Sequence, residues 1–178
     1  ECNRFTTLLM DWHIHENTRT LPWKSTHDPY KIWLSEILLQ QTRTEQGIPY
    51  YEKFIAHYPT IKDLAAADDT AVFKLWEGLG YYNRCKNMLA TARYIASELD
   101  GVFPNEYEQI LALKGVGAYT AAAIASFAFQ LPHAVVDGNV YRVLSRYFGI
   151  EMPIDSNVGK KYFAELAGAL LDEQSPDL

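Results

Sequence analysis

Two acidic residues far apart in the sequence, Glu36 and Asp137, occupy positions where a carboxyl group could do chemistry. Glu36 is the one acid in the stretch WLSEILLQQT (residues 33–42), which otherwise has the composition of a buried helix face. Burial disfavours the charged form of a carboxyl group, so Glu36 could hold a proton at neutral pH and donate it. The plain alternative is a surface glutamate held in an ion pair.

Asp137 follows three apolar residues and directly precedes the stretch GNVYRVLSRYF, which predicts a helix. Aspartate is a common helix N-cap, and capping alone could account for it. A pair of carboxyl groups can also divide acid and electrostatic work, with one group protonated and the other ionised. We therefore take Glu36 as the candidate acid and Asp137 as the candidate ionised carboxylate.

The elements that would position these residues are predicted to be helices, because no run of alternating β-branched residues indicates a strand. Asp28 followed by Pro29 predicts a helix that begins there and reaches about Thr42. The fold class is therefore expected to be all-α. Further N-caps are predicted at Thr60, at Asp68 or Asp69, at Asn105, and at Asp155 or Ser156, and helix ends at Gly101 and Gly149.

The stretch LALKGVGAYTAAAIASFAF (residues 111–129) predicts two helices joined by Gly115, Val116 and Gly117. Glycine at both ends allows positive φ, and the N–H groups that begin the second helix make a site for an anion such as a phosphate. A tight hairpin with glycines for steric reasons is the alternative. The pattern resembles the helix-hairpin-helix motif of DNA repair enzymes, which holds a DNA strand without reading bases.

The composition sets limits on the partners and the location of the chain. It has 178 residues and a formal net charge of −6, so any DNA binding by this chain alone is expected to be weak and salt-sensitive. No apolar run could cross a bilayer, and no signal peptide is visible. An intracellular protein of the cytoplasm or nucleoid is predicted. The first residue is Glu rather than Met, so we expect the true N-terminus to have been trimmed.

Several spaced motifs together resemble the adenine DNA glycosylases of the MutY family, within the helix-hairpin-helix, Gly/Pro-Asp superfamily of base-excision glycosylases. The motifs are LPWKSTHDPYKIWLSEILLQQT, PYYEKF, LWEGLGYYNR, LKGVGAYTAAAIAS and AVVDGNVYRVLSR. The resemblance implies two helical lobes around a cleft. One lobe would combine residues 1–25 and 134–178, and the other would be a six-helix module of residues 26–133 with the hairpin at 107–129.

The resemblance implies a role for each matching residue. Glu36 would protonate an adenine mispaired with 8-oxoguanine or guanine, and Asp137 would stabilise the positive charge that develops on the sugar. Tyr119 and Asn139 would complete the catalytic site. The residues expected to contact DNA are Gln41 and Tyr81 as wedges in the base stack, Thr42 near the opposing base, and Gly115, Val116 and Gly117 in the hairpin. The pocket for the extruded adenine would be lined by Arg19, Leu21, Trp23 and Lys24.

Tyr119 stands where the glycosylase/lyases of the endonuclease III type have a lysine that forms a Schiff base. The resemblance therefore implies a monofunctional hydrolase without lyase activity. A thymine glycosylase acting on G·T mismatches is the rival within the superfamily. A helix-hairpin-helix module that binds DNA without catalysis is the rival from another class, but it would not need the pair Glu36 and Asp137.

Relatives of the MutY family continue beyond the point where this chain stops, at Leu178. They carry four cysteines that bind a 4Fe-4S cluster, followed by a domain that recognises 8-oxoguanine. This chain has two cysteines, whereas the cluster needs four thiolates. We therefore expect a truncated protein with no metal or cofactor of its own, and a cluster in the full-length protein. The expected partner is duplex DNA with adenine opposite 8-oxoguanine or guanine, bound by a monomer without a membrane.

Overall fold

The computed structural model describes residues 2–177, and every regular element in that range is a helix. The all-α prediction is therefore confirmed. The helices are α1 (Cys2–His15), α2 (Pro29–Leu39), α3 (Thr44–His57), α4 (Ile61–Ala66), α5 (Asp69–Trp76), α6 (Tyr82–Glu98), α7 (Tyr107–Leu111), α8 (Ala118–Phe129), α9 (Gly138–Phe148) and α10 (Asn157–Leu170). None of these described helices is long and apolar enough to cross a membrane.

Five of the ten described helices, α2, α4, α5, α9 and α10, begin where a side chain accepts a hydrogen bond from the first turn. The Asp28 carboxylate accepts from the Tyr30 N–H at 2.9 Å, with Pro29 at the first helical position. Thr60 begins α4 in a reciprocal capping box with Asp63. Each such cap satisfies an N–H group that the helix itself leaves without a partner. Side chains also cap α5 and α10. The cap of α5 is Asp68 rather than Asp69, and the cap of α10 is Ser156 rather than Asp155.

Two predicted helix boundaries are wrong. Helix α2 ends at Leu39 rather than near Thr42, because Gln40 leaves helical geometry and Gln41 has a left-handed φ of +56°. Asn105 does not cap α7. The residue before that helix is Glu106, whose backbone is extended and whose side chain makes no cap hydrogen bond. The extended segment ahead of it carries Phe103, which is buried against the Trp33 ring, so the helix starts only after that contact.

The larger cluster of buried side chains is built from α2 to α8 and the segments between them. Trp33, Phe54 and Trp76 are fully buried there. Helix α8 is buried along seven consecutive residues, from Thr120 to Ser126. Small alanine side chains on α8 let α2 pack closely against it. This packing brings the middle of α2 beside the first turn of α8.

A second, smaller cluster joins the chain's first helix to its last two. Phe5 of α1 packs with Leu144 of α9 and with Phe163, Ala167 and Leu170 of α10. The residues after α10 return to the larger cluster, where the buried Ser126 hydroxyl donates to the Pro176 carbonyl. Glu36 belongs to the helix at the centre of the first cluster, and Asp137 begins a helix of the second. The lobe boundaries at residues 25 and 133 stay a prediction.

Candidate active site

Glu36 lies on α2 between buried neighbours, Ser35 on one side and Ile37 on the other, and its own side chain is half-buried. Burial, and to a smaller extent the nearby charge of Asp137, together raise the pKa of the Glu36 carboxyl from 4.5 to about 7. A carboxyl group with this pKa is protonated in a large fraction of molecules at neutral pH. Glu36 is therefore suited to donate a proton.

Asp137 is the N-cap of α9. Its Oδ1 accepts hydrogen bonds from the backbone N–H groups of Asn139 at 2.9 Å and Val140 at 2.8 Å. Its Oδ2 accepts from the Asn139 side-chain amide at 3.1 Å. Three donors and the positive end of the helix dipole stabilise negative charge on this carboxylate. Asp137 is therefore a helix cap, as the alternative predicted, and a capping carboxylate can also have an electrostatic role.

Asn139 is itself held by Arg142, one turn further along α9. The Arg142 guanidinium donates to the Asn139 Oδ1 at 2.7 Å, which leaves the amide N–H₂ facing Asp137. Sequence reasoning missed Arg142. Its spacing of three residues from Asn139 on a predicted helix is the signal that could have identified it.

Tyr119 completes the group from a third element, the first turn of α8. Burial, then the charge of Glu36, then that of Asp137 raise the pKa of the Tyr119 phenol above its usual value. Both carboxyl groups therefore act on the same hydroxyl. The three residues come from α2, α8 and α9, and the electrostatic interactions connect each of them to the other two. This arrangement can transfer a proton from Glu36 beside a carboxyl group that accepts three hydrogen bonds.

The hairpin between α7 and α8 has the predicted form, with one difference. Gly115 has a φ of +80°, and Val116 is buried beneath the turn. The Thr91 hydroxyl donates to the Lys114 carbonyl at 2.9 Å and fixes the turn to α6. Gly117, however, has an ordinary φ of −95°, so only Gly115 uses the positive φ that glycine allows. Its backbone N–H begins the first turn of α8, which no side chain caps.

The two hairpin glycines are expected to respond differently to alanine. A Cβ at Gly115 would meet Asn87 Cβ at 2.9 Å in a left-handed backbone, whereas a Cβ at Gly117 would meet nothing within 4 Å. Gly115→Ala should therefore lower the free energy of unfolding by about 1 kcal/mol or more. Gly117→Ala should leave stability nearly unchanged and weaken DNA binding, because the methyl group occupies the space where a phosphate would approach.

Denaturant unfolding and DNA titration of the two hairpin variants separate these effects. Gly168→Ala is the control, since a Cβ there also meets nothing within 4 Å and the position lies on α10. If Gly117→Ala bound DNA as tightly as Gly168→Ala does, the hairpin would not be a phosphate site.

The residues predicted to wedge into DNA lie on two exposed turns. Gln41 follows the end of α2, and Tyr81 precedes α6 with its side chain 66% exposed. Both are non-glycine residues in the left-handed region, with φ of +56° and +46°. Such residues are uncommon and cluster at functional sites. The Thr42 N–H donates to the Leu39 carbonyl at 3.1 Å, so Thr42 closes the turn that carries Gln41.

The four residues predicted to line an adenine pocket lie along the segment between α1 and α2. The Arg19 guanidinium donates to the Thr44 hydroxyl at 3.2 Å, and Trp23 packs edge-on against Tyr51, both on α3. The Lys24 N–H donates to the Leu21 carbonyl. These contacts place the segment against α3. The pocket role of these residues stays a prediction.

An apolar cavity of about 340 Å³ lies in the second cluster, between α1, α9 and α10. Its lining includes Phe5, Leu9, Val143 and Leu170, and it reaches Asn139. Among the described residues that line this cavity, there is none of the four predicted for an adenine pocket, Arg19, Leu21, Trp23 and Lys24. Glu36 and Asp137 do not line it either. Among the side chains that the structure describes, residues 4–177, no group of three or more histidine, cysteine or acidic residues could hold a metal ion.

The raised pKa of Glu36 implies a pH-dependent cost to stability. The folded-state pKa of about 7 exceeds the 4.5 of an unperturbed glutamate, so ionisation favours the unfolded chain as pH rises from 4.5 to 7. Glu36→Gln should therefore be more stable than the unsubstituted protein near pH 8, by up to about 3 kcal/mol. The difference should disappear near pH 4. Urea unfolding at both pH values checks this, and equal stability at pH 8 would contradict the shifted pKa.

Comparisons with known proteins identify a family for this chain. Residues 34–166 match the family described as "HhH-GPD superfamily base excision DNA repair protein". An adenine DNA glycosylase of Buchnera aphidicola subsp. Baizongia pistaciae is 41% identical over 172 residues, which are 97% of this chain and 47% of that protein. The adenine DNA glycosylase of Homo sapiens is 39% identical over 185 residues, covering 99% of this chain and 34% of that protein.

Solved structures show the same architecture. The structure of a thermostable thymine-DNA glycosylase superposes with a TM-score of 0.88 at 31% identity, covering 98% of this chain and 80% of that chain. A non-covalent complex of endonuclease III with DNA gives a TM-score of 0.78 at 18% identity, covering 99% of this chain and 81% of that chain, and shows the fold alone. The chain spans about half the length of the first of the curated relatives, 47%. Its match to the family over residues 34–166 places the chain in the HhH-GPD superfamily of base excision DNA repair proteins.

Proposed function

We propose that this chain is the catalytic core of an adenine DNA glycosylase, which hydrolyses the N-glycosidic bond of adenine paired with 8-oxoguanine or guanine. The observation that carries the proposal is the pairing of Glu36, whose pKa is raised to about 7, with Asp137, whose carboxylate accepts three hydrogen bonds. A module that only binds DNA has no use for a buried acid beside a stabilised carboxylate. The curated relatives named adenine DNA glycosylase support the choice of base.

In the proposed reaction, the adenine leaves the base stack, because its glycosidic bond is inaccessible inside a duplex. Glu36 gives its proton to the purine ring, and the bond between the base nitrogen and the sugar C1′ breaks with its electron pair going to the base. The Asp137 carboxylate stabilises the positive charge that develops on the sugar, as in glycoside hydrolysis. Water then bonds to C1′, and the proton that it loses replaces the one given by Glu36.

Tyr119 and Asn139 act in this scheme as neighbours of the two carboxyl groups. The Tyr119 hydroxyl stays protonated, so it can donate a hydrogen bond to either carboxylate. Asn139 holds the Asp137 carboxylate and is oriented by Arg142. The chain has no lysine at position 119, so we propose a monofunctional hydrolase that leaves an abasic site. The cleft between the proposed lobes, residues 26–133 and residues 1–25 with 134–178, would hold the extruded base.

Duplex DNA is the proposed partner, bound by a monomer inside the cell, at the nucleoid. The uncapped first turn of α8 beyond Gly117 supports a phosphate contact, and the exposed turns at Gln41 and Tyr81 support wedging. The segment from Arg19 to Lys24 would contact the extruded adenine. The 4Fe-4S cluster belongs in this proposal to a longer protein, because the two cysteines of this chain cannot supply four thiolates.

Thymine excision from G·T mismatches is the second candidate, because the structural relative at 31% identity is named a thymine-DNA glycosylase. The experiment is therefore a comparison of three duplexes, with adenine opposite 8-oxoguanine, adenine opposite guanine, and thymine opposite guanine. Alkali after the reaction cuts abasic sites, and omission of alkali reports lyase activity. We expect cutting at adenine, only after alkali. Cutting at thymine alone would show that the chain is a thymine glycosylase rather than an adenine glycosylase.

A further inference from the structure

The geometry points to Arg84 as a positioning residue that holds the two wedge turns, residues 40–42 and 78–81, in the arrangement needed to extrude the target base. This inference rests on the proposed function, in which Gln41 and Tyr81 enter the DNA. Arg84 lies in the first turn of α6 and touches neither Glu36 nor Asp137 in the contacts that follow. It acts through the two wedge turns, which are far apart in sequence.

One guanidinium group hydrogen-bonds to both wedge turns and to the helix before them. Arg84 Nη1 donates to the carbonyls of Ile37 at 3.1 Å and Leu38 at 3.3 Å, and also to the carbonyl of Gln40. Arg84 Nη2 donates to the Leu79 carbonyl at 3.3 Å. The carbonyls of the last turn of a helix have no partner within that helix, so a cation is favoured there. Arg84 thus binds the end of α2 and the second wedge turn at once.

Two aromatic rings lie against the guanidinium group of Arg84. Its central carbon lies 5.1 Å from the centroid of the Trp76 ring and 5.7 Å from that of the Tyr81 ring. Trp76 is fully buried, and its indole N–H donates to the Gly80 carbonyl at 2.9 Å, so it is a fixed support for the second turn. Tyr81 is the wedge itself. Its exposed ring is therefore oriented by contact with Arg84.

Both wedge residues need such support, because their backbones are strained. Gln41 and Tyr81 have left-handed φ values, and a residue with a Cβ adopts them at a cost in free energy. Such conformations persist only where surrounding contacts hold them. The Gln40 carbonyl precedes the strained Gln41, and the Leu79 carbonyl lies two residues before the strained Tyr81. Arg84 accordingly bonds beside both strained positions.

Lysine cannot replace this arginine without loss. A planar guanidinium presents donors in several directions, whereas a single ammonium group is a point charge on a flexible stem. Arg84→Lys therefore keeps the charge and loses the simultaneous bonds to the two wedge turns. The expected defect is in extrusion, before the chemical step. An adenine that is already unpaired should then be excised almost normally, which a general loss of structure would not allow.

The test compares Arg84→Lys with Arg93→Lys, a matched control on the same helix. Arg93 donates to the carbonyls of Ala65 at 3.4 Å and Ala67 at 3.2 Å, near the end of α4, and does not bond to either wedge turn in these contacts. Excision is measured with adenine opposite 8-oxoguanine and with adenine opposite a tetrahydrofuran abasic analogue. Extrusion is measured by 2-aminopurine fluorescence at the target position in a Glu36→Gln background.

We expect Arg84→Lys to slow excision from the paired duplex at least about tenfold and to cut the fluorescence rise, with the unpaired substrate affected less than about twofold. Arg93→Lys should match its parent in all three measurements. If thermal unfolding shows that Arg84→Lys does not fold, Arg84→Gln replaces it as the test variant in the same measurements. Equal behaviour of the Arg84 and Arg93 variants would overturn the inference, as would equal slowing on both substrates.

Failure of the proposed function gives a different result. If the parent chain excises no base but its fluorescence rise depends on Arg84, the proposed hydrolysis fails and the positioning role stands. If the parent excises adenine and Arg84→Lys behaves as Arg93→Lys does, the positioning role fails and the proposed function stands. With neither excision nor a fluorescence rise, both are overturned.

Discussion

Replacement of Glu36 by glutamine is expected to abolish adenine excision while the helical fold is kept. Glutamine has nearly the same shape as the protonated glutamic acid and suits the same half-buried position on α2, but it cannot give up a proton. General acid catalysis typically contributes about 100-fold to 10,000-fold to a rate, so we expect a loss of at least about 100-fold. The measurement is the single-turnover rate on a duplex with adenine opposite 8-oxoguanine.

Glu52→Gln is the matched control for this substitution, because Glu52 is an exposed glutamate on α3. The pH profile gives a second check. With a Glu36 pKa of about 7, the protonated fraction falls as pH rises through 7, so the rate of the parent chain should fall there too. A residual rate in Glu36→Gln should lack this decline. Excision within about tenfold of the parent rate would mean that another group supplies the proton.

Replacement of Asp137 by asparagine is the second substitution from which we expect a large loss. Asparagine is as good an N-cap as aspartate, so α9 should form as before. The substitution removes the negative charge that would face the developing sugar cation. Loss of one preorganised electrostatic partner commonly costs about 100-fold to 1,000-fold in rate, and we expect a loss in that range. Circular dichroism and thermal unfolding test whether the fold is intact.

Asp68→Asn is a closely matched control for the aspartate substitution. Asp68 caps α5 and accepts from the N–H groups two and three residues ahead, at 2.9 Å and 3.2 Å, the same geometry that Asp137 has on α9. It should keep full activity. If Asp137→Asn lost no more activity than Asp68→Asn, then Asp137 would be a cap and nothing else.

Helix starts capped by a side chain were predictable from the sequence because they depend on nearby residues, whereas the start of α7, which has no such cap, was not. Asp28, Asp68 and Ser156 each bond to an N–H group only two or three residues ahead. Helix ends were less predictable, because they depend on distant contacts. The end of α2 is held by Arg84, which lies 44 residues beyond Gln40. No local pattern around Gln41 indicates its left-handed backbone.

The candidate site could be predicted only where it depends on local sequence, and not where it depends on contacts between distant residues. An acid in an apolar helix and an aspartate before another helix were visible as Glu36 and Asp137. The effect of Asp137 on the pKa of Glu36, however, requires α2 and the start of α9 to lie near each other. Arg142 was missed although it lies one turn from Asn139. The two hairpin glycines could not be told apart by sequence, since only the backbone shows that Gly115 needs positive φ and Gly117 does not.

The continuous burial of α8 has a consequence for how this sequence can change over time. From Thr120 to Ser126, every side chain is enclosed, so larger replacements on any face of that helix would clash. Helix α9 buries only Leu144 among its described residues and can vary at most of its positions. Substitutions are therefore expected to accumulate more slowly in α8 than in α9. Helix α8 is also the helix that carries Tyr119 and begins at the hairpin.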